Sequence, residues 1–226
     1  MSRRFTYAIG DVHGCFDLLE RAFATIAEHA AAHSGSVRYT VVTLGDYIDR
    51  GPDSRKVIER LMRGADGSYS LICLMGNHEA MMVETIREGL NPTWWCSNGG
   101  YETLASYEAV TASGVPPIAH VDWAASLPRF YVGLHRVYVH AFVDPDIALE
   151  AQDQDRLIWH RYSAADERGH GFRHVVHGHT PHANGPILLR GRTNLDTGAF
   201  FTGRLTVGVF DDALPGGPVE ILEVRS

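Results

Sequence analysis

The first ninety residues of the chain show the same order of strand and helix three times, and each strand ends in polar residues. Apolar runs at 5–9, 37–44 and 70–75 are typical of buried strands, and helical patterns follow at 15–33, 53–62 and 79–88. Gly-Asp follows the first two runs and Gly-Asn follows the third. Strands that alternate with helices favour a largely parallel sheet with helices against it. We therefore expect an α/β fold.

The rest of the chain has a different character. A helical or irregular insert is predicted at about 92–128, where Asn98-Gly99-Gly100 and Gly114-Val115-Pro116-Pro117 interrupt the pattern. A polar loop at 144–173 is long enough to carry function. Strands are predicted at 130–134 and 136–141, and short strands that are more antiparallel than parallel in character follow at 174–177, 187–189, 193–195, 204–210 and 219–224. No linker divides the sequence, so we expect one domain over residues 1–226.

Five of the predicted strands end in residues that bind metals. In open α/β sheets, ligands bind beyond the carboxyl ends of strands, so these five ends are expected to meet in one crevice. A single Gly-Asp is most often only a turn, but turn chemistry does not explain five such ends. The residues concerned are Asp11 with His13, Asp46 with Asp49, Asn77 with His78, His140, and His179.

These side chains form a ligand set of carboxylates, imidazoles and one amide, without thiolate. Such a set suits Mn²⁺, Fe or Zn²⁺. Two ions fit better than one, because six candidate ligands exceed a tetrahedral site and a carboxylate can bridge two ions. The positive charge left over favours an anionic substrate such as a phosphate, which Arg50 and Arg161 could bind. The six candidate ligands are Asp11, His13, Asp46, Asn77, His140 and His179.

Three motifs together resemble the N-terminal signatures of the phosphoprotein phosphatase family of binuclear metallophosphoesterases, while the chain length and Trp159-His160-Arg161 resemble its small bacterial and phage branch. The three motifs are Gly10-Asp11-Val12-His13-Gly14, Gly45-Asp46-Tyr47-Ile48-Asp49-Arg50-Gly51 and Gly76-Asn77-His78-Glu79. The resemblance implies the calcineurin-like metallophosphoesterase fold, a sandwich of two mixed β-sheets flanked by helices. His140-Ala141-Phe142 departs from the His-Ala-Gly or His-Gly-Gly that is usual in the family, which leaves the shape near the second ion open.

The resemblance also assigns roles. It implies that Asp11, His13 and Asp46 hold one ion, and that Asp46, Asn77, His140 and His179 hold the other. Manganese is the ion that we expect. Arg50, Arg161 and Asn77 would bind the phosphate, while His78 paired with Asp49 would be the general acid. A hydroxide that bridges the two ions would attack phosphorus in line.

Three functions remain open on this basis. The first is a metal-dependent phosphomonoesterase acting on phosphoserine or phosphothreonine in proteins, with phosphotyrosine or a small phosphoester as further substrates. The second is a bis(5'-nucleosyl)-tetraphosphatase, although the resemblance implies that those enzymes generally replace Asp49 with a small residue. The third is a scaffold without catalysis, which the complete set of expected ligands disfavours.

Composition excludes several partners. A net charge of −7 has the wrong sign for a protein that binds nucleic acid through its phosphates. No apolar run approaches the length of a membrane span. The three cysteines are widely spaced and read as reduced thiols, so a cytoplasmic protein is expected. For Trp94, Trp95 and Tyr101, packing is favoured over a wall for the substrate. For His177, a structural hydrogen bond is favoured over support of the metal site.

Overall fold

A computed structural model describes residues 3–34 and 38–226. Its strands, in chain order, are β1 (Phe5–Ile9), β2 (Tyr39–Thr43), β3 (Tyr69–Cys73), β4 (Phe130–Val132), β5 (Arg136–Val139), β6 (His174–His177), β7 (Ile187–Leu188), β8 (Arg192–Asn194), β9 (Arg204–Asp211) and β10 (Glu220–Arg225). Its α-helices are α1 (Phe16–Ser34), α2 (Ser54–Met62), α3 (Asn77–Glu88), α4 (Pro92–Trp95), α5 (Tyr101–Tyr107), α6 (Ile118–Ala125), α7 (Arg156–Trp159) and α8 (Ala199–Thr202). A π-helical turn, Cys96–Gly100, joins α4 to α5, and Leu149–Ala151 forms one turn of 3₁₀-helix.

The described strands form two mixed sheets of five strands each. The first has the order β10-β9-β1-β2-β3, in which β1, β2 and β3 are parallel and β9 is antiparallel to both of its neighbours. The second has the order β4-β5-β6-β8-β7, in which β5, β6 and β8 are parallel and the two edge strands are antiparallel. Tyr7 pairs with Val41 across β1 and β2, and Val137 pairs with Val175 across β5 and β6.

Alternation along the strands places three apolar clusters in three layers. Ala8 of β1 and Val42 of β2 belong to a cluster with Tyr138 of β5 and Val176 of β6, which fills the space between the two sheets. The residues next to them in sequence point the other way, because successive strand side chains face opposite sides. Tyr7 thus packs with the apolar faces of α1 and α2. On the outer face of the second sheet, Val137, Val139 and Val175 pack with Leu149, Leu157 and Ile158.

The expected α/β sandwich of two mixed sheets is confirmed, with two differences in detail. The late strands are less antiparallel than expected, because β6 lies parallel to both β5 and β8. Helix α3 begins at Asn77, two residues before its predicted start, and ends before Gly89, which has the left-handed φ of 67° that glycine tolerates best. The predicted start of β2 at Val37 lies outside the described residues.

Short helices occupy much of the segment predicted to be helical. Helices α4, α5 and α6 lie within residues 92–125, and α6 packs against α3 beside the first sheet. Among the helices of the described residues, none combines the length and the hydropathy that a membrane span requires.

Candidate active site

The parallel strands of both sheets end at one place, and the predicted polar residues meet there. Asp11 follows β1, Asp46 follows β2, Asn77 follows β3, His140 follows β5 and His179 follows β6. The two sheets are joined at this point, since His140 Nδ1 donates to the Leu44 carbonyl at 2.8 Å and the His179 backbone N–H donates to Asp11 at 3.0 Å. The structure therefore brings five strand ends of two sheets into one cleft.

Backbone carbonyls orient three of the histidines. His13 Nδ1 donates to the Ile48 carbonyl at 2.8 Å, and His140 Nδ1 donates to the Leu44 carbonyl. In His179 it is Nε2 that donates, to the Trp159 carbonyl at 3.1 Å. The other ring nitrogen of each histidine points into the cleft, where it carries a lone pair when the ring is neutral. This arrangement, with one nitrogen fixed by a carbonyl, is the usual preparation of a metal-binding histidine.

Acceptor atoms face one another in this cleft. Asn77 Oδ1 lies 2.9 Å from His140 Nε2 and 2.9 Å from His179 Nδ1. Asp46 reaches histidines on both sides, with Oδ1 at 3.3 Å from His140 Nε2 and Oδ2 at 3.6 Å from His13 Nε2. Two groups of candidate ligands share Asp46: one with His13 and His78, the other with His140 and His179. Oxygens and ring nitrogens at these distances suit a cation placed among them.

The electrostatic balance of the cleft also favours added positive charge. Burial alone would lower the pKa of His140, but the Asp46 and Asp11 carboxylates raise it to about 10. Burial raises the pKa of Asp11 well above its usual range, and the carboxylates of Asp196 and Asp46 raise it further. His179 stays neutral, because burial and the charges of His140 and Arg161 lower its pKa to about 3. The buried acids thus stabilise a proton on His140, and the same field would stabilise a metal ion.

Glu79 holds the two loops that carry the candidate ligands. Its buried carboxylate accepts the backbone N–H groups of Asp46 at 2.9 Å, Tyr47 at 2.8 Å and Gly76 at 3.0 Å. The loops approach so closely that a Cβ on Gly76 would lie 2.2 Å from Asp46 Oδ1. The Asp46 carboxylate is fixed in turn, because its Oδ1 accepts the backbone N–H of His78 at 3.1 Å. One side chain therefore sets the position of the residue that the two groups share.

His78 and Asp49 form a buried hydrogen-bonded pair at the edge of the cleft. His78 Nδ1 lies 2.6 Å from Asp49 Oδ2, and both side chains are almost fully buried. Burial lowers the pKa of His78 to about 4 and raises that of Asp49 to about 8, and the Thr103 and Trp95 donors oppose the rise at Asp49. His78 Nε2 faces the cleft, 3.9 Å from Asp46 Oδ2. A histidine held in this way can give a proton from Nε2 to a group bound beside Asp46.

The backbone is strained at the residues of this site. Among the residues that the structure describes, six other than glycine have positive φ, and five of them belong to the cleft. This region costs free energy for side chains with a Cβ, so it persists only where surrounding contacts enforce it, and it clusters at functional sites. The five are His13, Asp46, Asp49, Arg50 and His179.

The two predicted phosphate-binding arginines differ in their surroundings. Arg50 donates to His13 Nε2 at 2.8 Å, and its guanidinium lies 5.2 Å from the ring centre of Phe200. An ion bound to His13 Nε2 would take the lone pair that Arg50 now uses and would release the guanidinium. Arg161 is exposed at the rim, and its charge contributes to the low pKa of His179.

A comparison with family models identifies this architecture. The model described as calcineurin-like phosphoesterase matches residues 6–196, from β1 to the turn after β8. The chain belongs to the calcineurin-like phosphoesterase family.

Its relatives carry two kinds of names. Serine/threonine-protein phosphatase 1 of Salmonella typhimurium is 28% identical over 219 residues, covering 90% of this chain and 91% of the relative. Bis(5'-nucleosyl)-tetraphosphatase PrpE of Bacillus mycoides is 28% identical over 223 residues, covering 88% and 87%.

Solved structures agree on the fold. A yeast protein serine/threonine phosphatase, from Saccharomyces cerevisiae and described as similar to human phosphatase PP5, superposes with a TM-score of 0.63 at 14% identity. The match covers 100% of this chain and 81% of that one. Together with the family model, it confirms the calcineurin-like sandwich. The resemblance to phosphoprotein phosphatases is supported by the similarity to the Salmonella typhimurium relative.

Sequence reasoning missed three residues that shape the site of this calcineurin-like phosphoesterase. Glu79 carried a signal, since glutamate at the third position of a helix often reaches back to cap its start. Trp95 and Thr103 carried no such signal, because they lie in the helical segment and contact Asp49 from 46 and 54 residues away.

Phe142, the residue that departs from the family pattern after His140, packs against His160 and Tyr162, away from the candidate ligands. His177 bonds to Arg192 and to the Gly178 carbonyl.

Proposed function

We propose that this metallophosphoesterase is a metal-dependent serine/threonine protein phosphatase, which hydrolyses phosphomonoesters of proteins and of small molecules. The observation that carries the proposal is the buried His78–Asp49 pair at 2.6 Å, in which His78 Nε2 faces the shared residue Asp46 at 3.9 Å. An alkoxide is a poor leaving group, so its departure depends on a proton donor at this position.

Two divalent ions are proposed for the cleft, with Asp46 as the shared ligand. Asp11 and His13 would complete one site, and Asn77, His140 and His179 the other. Oxygen and nitrogen ligands without thiolate suit Mn²⁺, with Fe or Zn²⁺ as alternatives. When bound, such ions make water more acidic and polarise the phosphoryl group.

The protein's own residues would bind the substrate and supply the proton. Arg50 and Arg161 would bind the phosphoryl oxygens, because a planar guanidinium can donate to two oxygens at once. Asn77, next to His78, would bind phosphate from the other side of the cleft. Asp49 holds His78 Nδ1, so that His78 donates its Nε2 proton to the departing oxygen of serine or threonine.

A bis(5'-nucleosyl)-tetraphosphatase is the second candidate, which the similarity to the Bacillus mycoides relative supports. The chemistry of the leaving group separates the two functions. Cleavage of a tetraphosphate releases a phosphate anion, which is far less basic than an alkoxide and depends less on a general acid. A complete His78–Asp49 pair therefore favours the phosphomonoesterase.

The remaining properties follow from composition and are proposed with the function. We propose one domain over residues 1–226, with a helical insert at about 92–128. The wide spacing of the three cysteines is the basis for proposing reduced thiols and a cytoplasmic protein. A net charge of −7 disfavours nucleic acid as a partner.

Hydrolysis by the metal-stripped protein, with and without added Mn²⁺, tests the proposal. Release of inorganic phosphate is measured for a phosphothreonine peptide, and formation of ADP, or of ATP with AMP, is measured in parallel for diadenosine tetraphosphate. We expect peptide turnover that requires Mn²⁺ and little cleavage of the nucleotide. Preferred cleavage of the nucleotide would establish the second candidate, and inactivity of the metal-loaded protein on both substrates would reject both functions.

A further inference from the structure

The helical insert contacts the active site at two consecutive residues, Asp49 and Arg50. The contacts come from a short stretch that spans the end of α4, the π-helical turn and the start of α5. We call Trp95, Gly99, Gly100 and Thr103 the Asp49 brace. Its two polar side chains are almost fully buried, with Trp95 2% and Thr103 0% exposed.

Two side chains of the brace donate to the Asp49 carboxylate. Trp95 Nε1 lies 3.0 Å from Oδ2 and 3.2 Å from Oδ1, and the Thr103 hydroxyl donates to Oδ1 at 2.6 Å. His78 Nδ1 reaches Oδ2 from the other side. Donors on several sides leave the carboxylate one orientation in which all of its bonds are made, and in that orientation Oδ2 faces His78.

The brace also holds the backbone around Asp49. Asp49 and Arg50 are consecutive residues with left-handed φ values of 71° and 68°. The Thr103 hydroxyl accepts the Asp49 N–H at 2.9 Å, and the Gly99 carbonyl accepts the Arg50 N–H at 3.2 Å. Two strained residues in a row need such contacts to persist.

The glycines of the brace allow it to approach so closely. Gly99 has a φ of 110°, and a Cβ there would lie 2.7 Å from the Arg50 backbone nitrogen. A Cβ on Gly100 would lie 2.8 Å from the Trp95 indole. The Asn98-Gly99-Gly100 break in the helical pattern is therefore the point at which the insert meets the Asp49–Arg50 turn.

We propose that Trp95 and Thr103 are positioning residues for proton donation to the leaving group, acting through Asp49 on His78. The proposal rests on the function proposed above only in assigning His78 as the general acid. Without the brace, the Asp49 carboxylate is free to rotate, and the imidazole loses the contact that aims its Nε2 at the leaving oxygen. Residues 95–103 of the insert thereby become part of the catalytic machinery.

A pair of aryl phosphates tests the proposal without depending on the natural substrate. Phenol is a more basic leaving group than 4-nitrophenol, so phenyl phosphate needs the proton donor more. Trp95→Phe keeps an aromatic six-membered ring and removes the N–H. We expect it to lower kcat for phenyl phosphate by about 10-fold, as for a lost hydrogen bond to a charged group, and for 4-nitrophenyl phosphate by less than about 3-fold.

A double-mutant cycle distinguishes positioning from general damage. In the His78→Asn background, Trp95→Phe should cause no further loss, because the group through which it acts is gone. Thr103→Val should behave like Trp95→Phe, and Thr103→Ser should restore activity. Trp94→Phe is the matched control, since Trp94 is 45% exposed and stacks on Trp159. Thermal melting of each variant verifies that it folds.

The outcomes are separable. Equal losses on both aryl phosphates, or a full further loss in the His78→Asn background, would show that the brace only stabilises the fold and would overturn the proposal. Unchanged kinetics of both Trp95→Phe and Thr103→Val would also overturn it. A wild-type protein that hydrolyses aryl phosphates but no phosphothreonine peptide would reject the proposed substrate, while the cycle still decides the role of the brace.

Discussion

Replacement of Glu79 by glutamine should loosen the two loops that carry Asp46 and Asn77. The Glu79 carboxylate accepts three backbone N–H groups, those of Asp46, Tyr47 and Gly76, and it is fully buried. A glutamine has one oxygen for these three donors. In its best orientation the oxygen keeps the Asp46 and Gly76 bonds, and the new NH₂ group points at the Tyr47 N–H.

The size of the stability loss follows from the number of buried polar groups that are left without a hydrogen-bond partner. The Tyr47 N–H loses its acceptor and the glutamine NH₂ is buried without one, and each such group costs about 1–3 kcal/mol. Burial and the nearby Asp46 carboxylate raise the pKa of Glu79 to about 8, so loss of its charge offsets part of this cost. We expect a net loss of about 2–4 kcal/mol, which lowers the Tm of a chain of this size by about 5–15 °C.

Calorimetry at pH 8.5, where Glu79 is charged, measures the stability change, and Mn²⁺ titration measures the consequence for the site. Loss of such a supporting contact should weaken Mn²⁺ binding by about 10–100-fold. Glu84→Gln is the control, because Glu84 lies exposed on the same helix. If Glu79→Gln melts within about 2 °C of wild type and binds Mn²⁺ equally well, the loops are held by something other than this carboxylate.

Three further predictions concern charge and protons. Asp46→Asn should remove most Mn²⁺ from both groups of ligands, because both share this carboxylate. Metal analysis after dialysis should show less than half of the wild-type Mn²⁺ content. A loss confined to one ion would contradict the shared role of Asp46. His78→Asn should lower turnover of a phosphothreonine peptide by roughly 10²–10⁴-fold but that of 4-nitrophenyl phosphate much less, and equal losses in a steady-state assay would remove His78 from the acid role. Burial and the charge of Arg136 lower the pKa of His174 from 6.5 to about 4. The unfolded chain therefore binds a proton that the folded protein excludes, and the folded protein loses stability as the pH falls below 6.5. Between pH 6.5 and pH 4.5 the wild type should lose about 2–3 kcal/mol more than His174→Gln in urea unfolding, and parallel pH profiles would refute the assignment.

Periodicity predicted the strands well because each has a simple pattern of burial. All five residues of β1 are buried, and so are most residues of β2. The direction in which strands pair was harder to predict, since the three residues of β8 contain no local signal that identifies the neighbouring strand. The connection between β6 and β8 determines that the two strands are parallel.

The site was predictable to the extent that the fold places strand ends together. Asp46 and His140 lie 94 residues apart in sequence, yet both follow parallel strands, and the two sheets bring their side chains to within 3.3 Å. Residues that fix the ligands from outside the strand ends could not be found in this way. Trp95 reaches Asp49 only because the π-helical turn folds the insert back onto it.

Backbone strain explains why the residue types alone do not predict the backbone conformation of the site. Asp46, Asp49 and Arg50 adopt a left-handed conformation that local sequence preference assigns to glycine. Each is held by contacts that are distant in sequence: Glu79 on the Asp46 N–H, Thr103 on the Asp49 N–H and Gly99 on the Arg50 N–H. The free energy for these turns therefore comes from α3 and the insert, so substitutions there should alter the site without touching a candidate ligand.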